Sequence, residues 1–313
     1  MHADRHPSTR TLTLVGPAVG VFGLITGGST MSSLTIHKRR SDRYDATRVK
    51  VPYNLNAIFP YLMKGRNESV AYYPIDVDVE NLMTYIEENK GTDQEITIFQ
   101  AVLLALVKVL RERPTLNRYF IGRRLYQRRD VVFSFIAKKK YSDDAEEANV
   151  LLRIQPQDSR ENILSRIRGE IRSARTDAER PDDKLIGLFL HLPRSLLRLA
   201  VKGLEWFDFY VDTPGFLRGV DPLRCSVYIA NLGSIGLDAP YHHLYEWGTC
   251  SIFLTIGKIH PAVVVGEDGQ PAVRRVMNLR VSLDERIADG YYDARSLDLL
   301  GEYLAHPAML ETL

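Results

Sequence analysis

The nine residues Ser282 to Gly290, reading Ser-Leu-Asp-Glu-Arg-Ile-Ala-Asp-Gly, constrain the fold more than any other stretch of this chain. A strand-like run, Val276 to Val281, leads into them. The Asp289-Gly290 pair is expected to form a turn in which glycine tolerates a positive φ, and a capped terminal helix is expected from about Asp293. In that helix Leu297, Leu300 and Leu304 share one side, and Pro307 ends the run. Four charged side chains therefore crowd a single strand-to-helix connection, an arrangement that points to chemistry.

With 313 residues, 45% of them hydrophobic and 26% charged, the chain can bury one large core or two modest ones. Its 41 Lys and Arg against 39 Asp and Glu leave a formal charge of +2, so nothing in its overall field suits nucleic acid, and no nucleic-acid partner is expected. The two cysteines, Cys225 and Cys250, are too few for a disulfide framework and lack the spacing of a zinc site. They read as small buried hydrophobes on neighbouring strands of a cytoplasmic protein, and no metal is expected. Near the start, Arg5 and Arg10 precede an apolar stretch from Leu12 to Ile25 with the outline of a signal peptide. Three glycines and Pro17 interrupt it, and it is short for a membrane span. Residues 1–41 are therefore expected to be a disordered extension or a start assigned too far upstream, ahead of a single domain over 42–313.

Along that domain, Val70 to Val77 reads as extended, and Asp78 can cap a helix from Val79 to Asn89. Thr97 to Gln100 forms a capping box ahead of Ala101 to Leu110, which is apolar on nearly every side and is expected to be buried. Strand candidates follow at Arg124 to Tyr126 and Val131 to Ala137. Asp158 to Glu161 opens a helix striped by Ile163, Ile167 and Ile171. From Leu185 to Tyr210 apolar residues are broken by Pro193, and Arg194, Arg198 and Lys202 recur at spacing four. This amphipathic insertion, at about 185–218, is expected either to pack over the sheet or to make a peripheral membrane contact. Further strands are expected at Cys225 to Ala230, Ser251 to Gly257 and Ala262 to Gly266. The last is expected to pair with Ala272 to Leu279 through a Glu267 to Gln270 turn.

Four motifs in one order carry a family resemblance: Pro114-Thr-Leu-Asn117 after the buried helix, Tyr228-Ile-Ala-Asn-Leu-Gly-Ser-Ile-Gly236, the strand Cys250 to Gly257, and Asp284-Glu-Arg-Ile-Ala-Asp-Gly290. Together they resemble the catalytic domain of the 2-oxo acid dehydrogenase dihydrolipoyl acyltransferases, whose signature reads D-H-R-x-x-D-G. The resemblance implies an α+β fold, a two-layer sandwich with a mixed β-sheet covered by helices, chloramphenicol acetyltransferase-like. It also implies a homotrimer or a multiple of trimers with active sites between subunits. The expected function is CoA-thioester-dependent acyl transfer by a stand-alone enzyme, between a small-molecule donor and acceptor. A coenzyme A thioester serves as substrate, and no lipoyl or subunit-binding domain is expected in the same chain.

One departure stands out, because the family's catalytic histidine falls on Glu285. A carboxylate works as a base near neutral pH only in a dry, apolar setting. His242 and His243, beside aromatic residues and after the Asn-Leu-Gly loop, are the other candidates for the base. By the resemblance, Asp289 holds local structure through an arginine, with Arg43 or Arg48 as candidates, and Asn231 and Ser234 sit at the developing oxyanion. Arg123, Arg124, Lys138 and Lys139 are candidates for the CoA phosphates. The alternative is a catalytically silent homologue acting as a scaffold or a CoA- or lipid-binding protein.

Overall fold

The structure, a computed structural model, describes residues 41–51, 57–138, 147–174, 187, 191–266 and 269–313. In chain order these form β1 (Ala46–Val49), α1 (Phe59–Leu62), β2 (Val70–Asp78), α2 (Glu80–Glu88), α3 (Ile98–Glu112), β3 (Arg118–Ile121), β4 (Arg124–Arg128), β5 (Val131–Lys138) and β6 (Glu147–Ile154). Then come α4 (Arg160–Ala174), α5 (Arg194–Tyr210), β7 (Val227–Asn231), β8 (Ile252–Val265), β9 (Pro271–Asp284) and α6 (Gly290–Ala305).

A six-stranded mixed sheet in the order β2-β9-β8-β7-β5-β6 organises the domain. Its β5–β7 and β7–β8 pairs are parallel and the rest antiparallel. Strand alternation sorts the side chains onto two faces. Met277, Leu279, Val281 and Leu283 of β9 join the main core with α3 and α6, while Tyr228, Phe253, Cys225 and Cys250 form a second cluster on the opposite face with Leu244. Helices thus cover one face, and the segment after β7 crosses the other. This is the expected α+β arrangement, and both thiols are buried and free.

Helix α3 forms because its capping box is complete: Thr97 accepts from the Gln100 N–H and Gln100 returns the bond to the Thr97 N–H. Its all-round apolar surface is accommodated because it lies at the centre of the helical layer, where residues 100–107 are all buried.

Three local expectations are corrected. The segments read as separate strands at Ser251 to Gly257 and Ala262 to Gly266 are one long strand, β8, whose register with β9 slips between Ile256 and Ile259. Gly290 does not adopt a positive φ; it is the first residue of α6, because the Asp289 carboxylate caps the helix by accepting from the Tyr292 N–H at 2.9 Å. The helix therefore starts three residues before Asp293. Strand β3, too short to read from sequence, pairs with β4 through a Gly122-Arg123 turn with φ of 58° at both residues, and β1 completes this small sheet. Residues 267–268 of the Glu267 to Gln270 turn lie outside the described residues, as do residues 1–40 and most of the insertion ahead of His191.

Two buried ion networks hold the accessory parts. Arg128 pairs with Asp45, which also accepts from the Tyr119 hydroxyl at 2.9 Å, closing the small sheet. Arg43 and Arg224 both reach Asp208 on α5, bolting that helix to the start of β1 and to the approach to β7.

Candidate active site

At the end of β9 the signature residues divide into a rigid frame and an open side chain. Asp284, fully buried, takes two 2.7 Å bonds from the Arg286 guanidinium and a 3.1 Å bond from the Ser69 hydroxyl. Arg286 also donates to the Met63 carbonyl at 2.9 Å. The Glu285 N–H donates to the Ser69 carbonyl, fixing the backbone where the chain leaves the sheet. Glu285 itself is exposed, and its carboxylate has no hydrogen bond or ion pair among the described residues. Asp289 is exposed and spends its carboxylate on the α6 cap. The expected arginine partner is not there: Arg43 is committed to Asp208 and Asp212, because both lie on the segment that docks against β1. Arg48 makes no ion pair with Asp289 either, and its backbone N–H is held by Asp42.

Behind Glu285 lies a buried acid outside the signature. Asp293, in the first turn of α6, is 0% exposed, and neither carboxyl oxygen has a hydrogen-bond partner. Burial first, then the negative charges of Asp289 and Glu285, push its pKa up to about 7. The Tyr73 hydroxyl is close enough to temper that shift without completing a bond of normal geometry. Burial, then the charges of Asp293 and Glu285, raise the Tyr73 phenol. The signal was present in sequence, since Asp293 falls on the buried side of α6 with Leu300 and Leu304.

Asp293 gives the protein a defined pH response. An aspartate in the unfolded chain ionises near 3.8. Between that value and about 7 the folded chain therefore holds a proton that the unfolded chain has lost. The native state binds more protons, so stability falls as pH rises through this window and levels off above it. Asp293→Asn is expected to flatten that slope and to be more stable than wild type at pH ~8, by a few kcal/mol at most. Urea unfolding at both ends of the window checks this, and an unchanged slope in the variant would place the response elsewhere.

The other candidates lie on the helix-free face. The Asn231 side-chain oxygen accepts from the Ser234 N–H at 3.3 Å, and the Ser234 hydroxyl donates to the Asn231 carbonyl at 2.8 Å, so the loop folds on itself. Gly236 closes it at φ 80°, a conformation that disfavours side chains. This leaves the Asn231 amide NH2 as a free side-chain donor among the described residues. From there the chain runs back across the sheet. His242 stacks on Phe253 at 3.9 Å and on His243 at 4.6 Å, and its carbonyl accepts from the Ser282 hydroxyl. Nδ1 of His242 lies 2.7 Å from the His243 carbonyl, and Nδ1 of His243 lies 3.0 Å from the Leu244 carbonyl. A carbonyl only accepts, so Nδ1 is the donor in each of these bonds.

Register measures the separations. Asn231 lies level with Ile256 and Leu279, six residues back along β9 from Glu285, or about 20 Å. The chain thus brings His242 and His243 to the middle of the open face, between Asn231 and Ser234 at the end of β7 and Glu285 beyond the end of β9. Arg123 and Arg124 sit on the β3–β4 turn, on the Glu285 side. Lys138 ends β5 just beyond the level of Asn231, and Lys139 and the Lys138 side chain lie outside the described residues.

A cavity of about 280 Å³ opens beside Arg286, between α1, the β3–β4 turn, α5 and the Glu246 to Gly248 loop. Its floor contains Arg66, a residue for which the sequence carried no signal.

A mixed six-stranded sheet, helices on one face, a glycine-bent loop after β7 and a charged knot after β9 define a two-layer α+β architecture. Residues 221–311, which hold both the loop and the knot, match the family of 2-oxoacid dehydrogenases acyltransferase (catalytic domain). No curated protein matches by sequence. A probable dihydrolipoamide acetyltransferase from Listeria monocytogenes 4b F2365 is 18% identical with a TM-score of 0.53, over 82% of this chain and 94% of that one. The cubic core of the pyruvate dehydrogenase multienzyme complex is 16% identical with a TM-score of 0.54, over 84% and 93%. Dihydrolipoamide acetyltransferase from Azotobacter vinelandii is 17% identical with a TM-score of 0.53, also over 84% and 93%. The chain therefore has the fold of the dihydrolipoamide acetyltransferase cores and resembles their catalytic-domain family.

Proposed function

We propose that this protein is a CoA-thioester-dependent acyltransferase that works as a homotrimer in the cytoplasm, with Glu285 as its base. The observation that carries this reading is the exposed carboxylate of Glu285, unpaired among the described residues, directly after an Asp284 that Arg286 holds by two 2.7 Å bonds; the resemblance puts the family's histidine there. In this reading Glu285 of one copy faces the open sheet face of the next, which supplies the Asn231 loop and excludes water. Glu285 removes a proton from the acceptor's hydroxyl or thiol, and the resulting oxygen or sulfur attacks the thioester carbonyl. The Asn231 amide and loop N–H groups receive the oxyanion. Collapse of the tetrahedral adduct expels CoA as a thiolate, which takes the proton back from Glu285.

Release of free thiol from several acyl-CoA donors tests the reading, with turnover above buffer expected for at least one donor. A variant with His242→Ala and His243→Ala is expected to keep turnover; loss there alone would move the base to an imidazole. CoA binding without turnover for any donor would leave the silent, CoA-binding homologue.

The outward side of α5 supports a second contact. Leu196, Leu199, Trp206 and Tyr210 are exposed, while Glu205, Asp208 and Phe209 face the fold. With Arg194, Arg198 and Lys202 on the polar side, this is the pattern of a helix lying on an anionic bilayer surface. No helix among the described residues is long and apolar enough to cross one. Flotation with phosphatidylglycerol-containing vesicles at low salt is expected for wild type and not for Leu199→Glu with Trp206→Glu; equal flotation would end the idea.

A further inference from the structure

We infer that the cavity between α5 and the β3–β4 turn binds a compact aromatic carboxylate, which the acyl-transfer reading would make the acceptor. The binding site itself follows from the charges around the cavity.

Arg66 lies in the floor and is only 5% exposed, yet it forms no ion pair among the described residues. Its terminal nitrogens donate to four backbone carbonyls, Phe120 at 3.2 Å, Tyr245 at 3.4 Å, Glu246 at 2.7 Å and Gly248 at 2.7 Å. Its Nε is buried with no partner. Carbonyl dipoles hold the group in place without cancelling its charge, and a buried charge without a counter-ion is costly. The neighbouring Arg286 adds no free charge, because Asp284 neutralises it.

Two more cations stand at the mouth. Lys64 and Arg123 are exposed and form no ion pair among the described residues, and the Arg123 guanidinium lies 5.1 Å from the Tyr61 ring and 6.0 Å from the Phe209 ring. The turn that presents Arg123 is pressed against α5: a Cβ on Gly122 would meet the Phe209 carbonyl oxygen at 2.2 Å. Three acids also line the space. Asp208 is satisfied by Arg43 and Arg224. Glu246 accepts from the N–H groups of Arg66 and Asn67 at 2.9 and 3.0 Å, which leaves it near Arg66 but occupied. Glu205, exposed, is the remaining acid and could receive a hydroxyl from the ligand. The walls are Phe120, Phe209 and Trp247, flat apolar surfaces suited to one ring. At about 280 Å³ the space has room for a single substituted ring.

Calorimetric titration of the full chain, without CoA, compares 4-hydroxybenzoate with the neutral 4-hydroxybenzyl alcohol. The acid is expected to bind at least ~10-fold more tightly, as two charge-assisted hydrogen bonds require. Lys64→Ala with Arg123→Gly, the glycine chosen because that turn needs a positive φ, is expected to lose this preference with an unchanged melting temperature. Equal binding of the two probes, equal preference in the variant, or no binding of the acid would each overturn the inference. Thiol release from acyl-CoA, scored on the same preparations, separates the two ideas. Binding of the acid without turnover leaves the pocket and removes the acyltransferase; turnover without binding does the reverse.

Discussion

Asp208→Ala is expected to destabilise the protein by about 3 kcal/mol, the lower end of the range for breaking a buried ion pair. Asp208, 5% exposed, receives the Arg43 guanidinium, both terminal nitrogens of Arg224 at 3.2 and 3.0 Å, and the Thr213 hydroxyl at 3.2 Å. Truncation strands two buried cations. Asp212 at 3.4 Å from Arg43 and Asp221 at 3.0 Å from Arg224 retain part of the compensation, which is why the low end applies. The loss should concentrate on α5, since no other residue of that helix is buried. Urea unfolding gives the total and hydrogen exchange gives its location. Asp298→Ala, an exposed residue of α6 paired with exposed Arg295, is the contrast and should change stability by less than about 0.5 kcal/mol. Equal effects of the two variants would remove the case for Asp208 as the bolt that fixes the cavity roof.

The sheet-and-helix plan was legible where local chemistry and packing agree. Thr97 and Gln100 announce α3, and its apolar circumference announces its central position. The signature loop announced a strand and a helix, and both exist, but the turn lies at Glu285 and Arg286 and not at Asp289-Gly290. The misreading at Gly290 has a physical cause: an Asp-Gly pair serves a turn and a helix cap equally well, and only the distance from Asp289 to the Tyr292 N–H decides. Strand β8 was divided because Gly257 and Pro261 look like breakers, whereas pairing with β9 on one side holds the strand through a register slip. β3 was missed because a four-residue strand owes its existence to β4 and not to its own pattern.

The candidate site was legible in part for a different reason. Asn231, Ser234 and the residues from Asp284 to Asp289 carry local motifs, and local motifs survive in sequence. Arg66 acts through burial and through carbonyls that are mostly about 180 residues away, so no spacing rule marks it, whereas Asp293 could have been found from its place on the buried side of α6. Nor does sequence say that Arg43 spends itself on Asp208, which leaves Asp289 to the helix cap alone.

Glu285→Gln is the variant with the largest expected effect on activity. Glutamine matches the size of glutamate, and Glu285 makes no side-chain bond among the described residues, so folding stability should stay within about 0.5 kcal/mol of wild type. The amide cannot take a proton from the acceptor, and loss of a general base slows turnover by about 10²–10⁴-fold. Binding of the acyl-CoA should be little altered, so the loss is expected in kcat rather than in KM. The Asp293→Asn variant provides an internal comparison. It removes a neighbouring buried carboxyl from the same cluster while leaving the base in place, so activity should persist.

The most direct measurement is the initial rate of thiol release from acyl-CoA by wild type and by Glu285→Gln at equal concentrations of folded protein. The account predicts a fall of at least ~100-fold with an unchanged unfolding midpoint. Equal rates in the two proteins would contradict it.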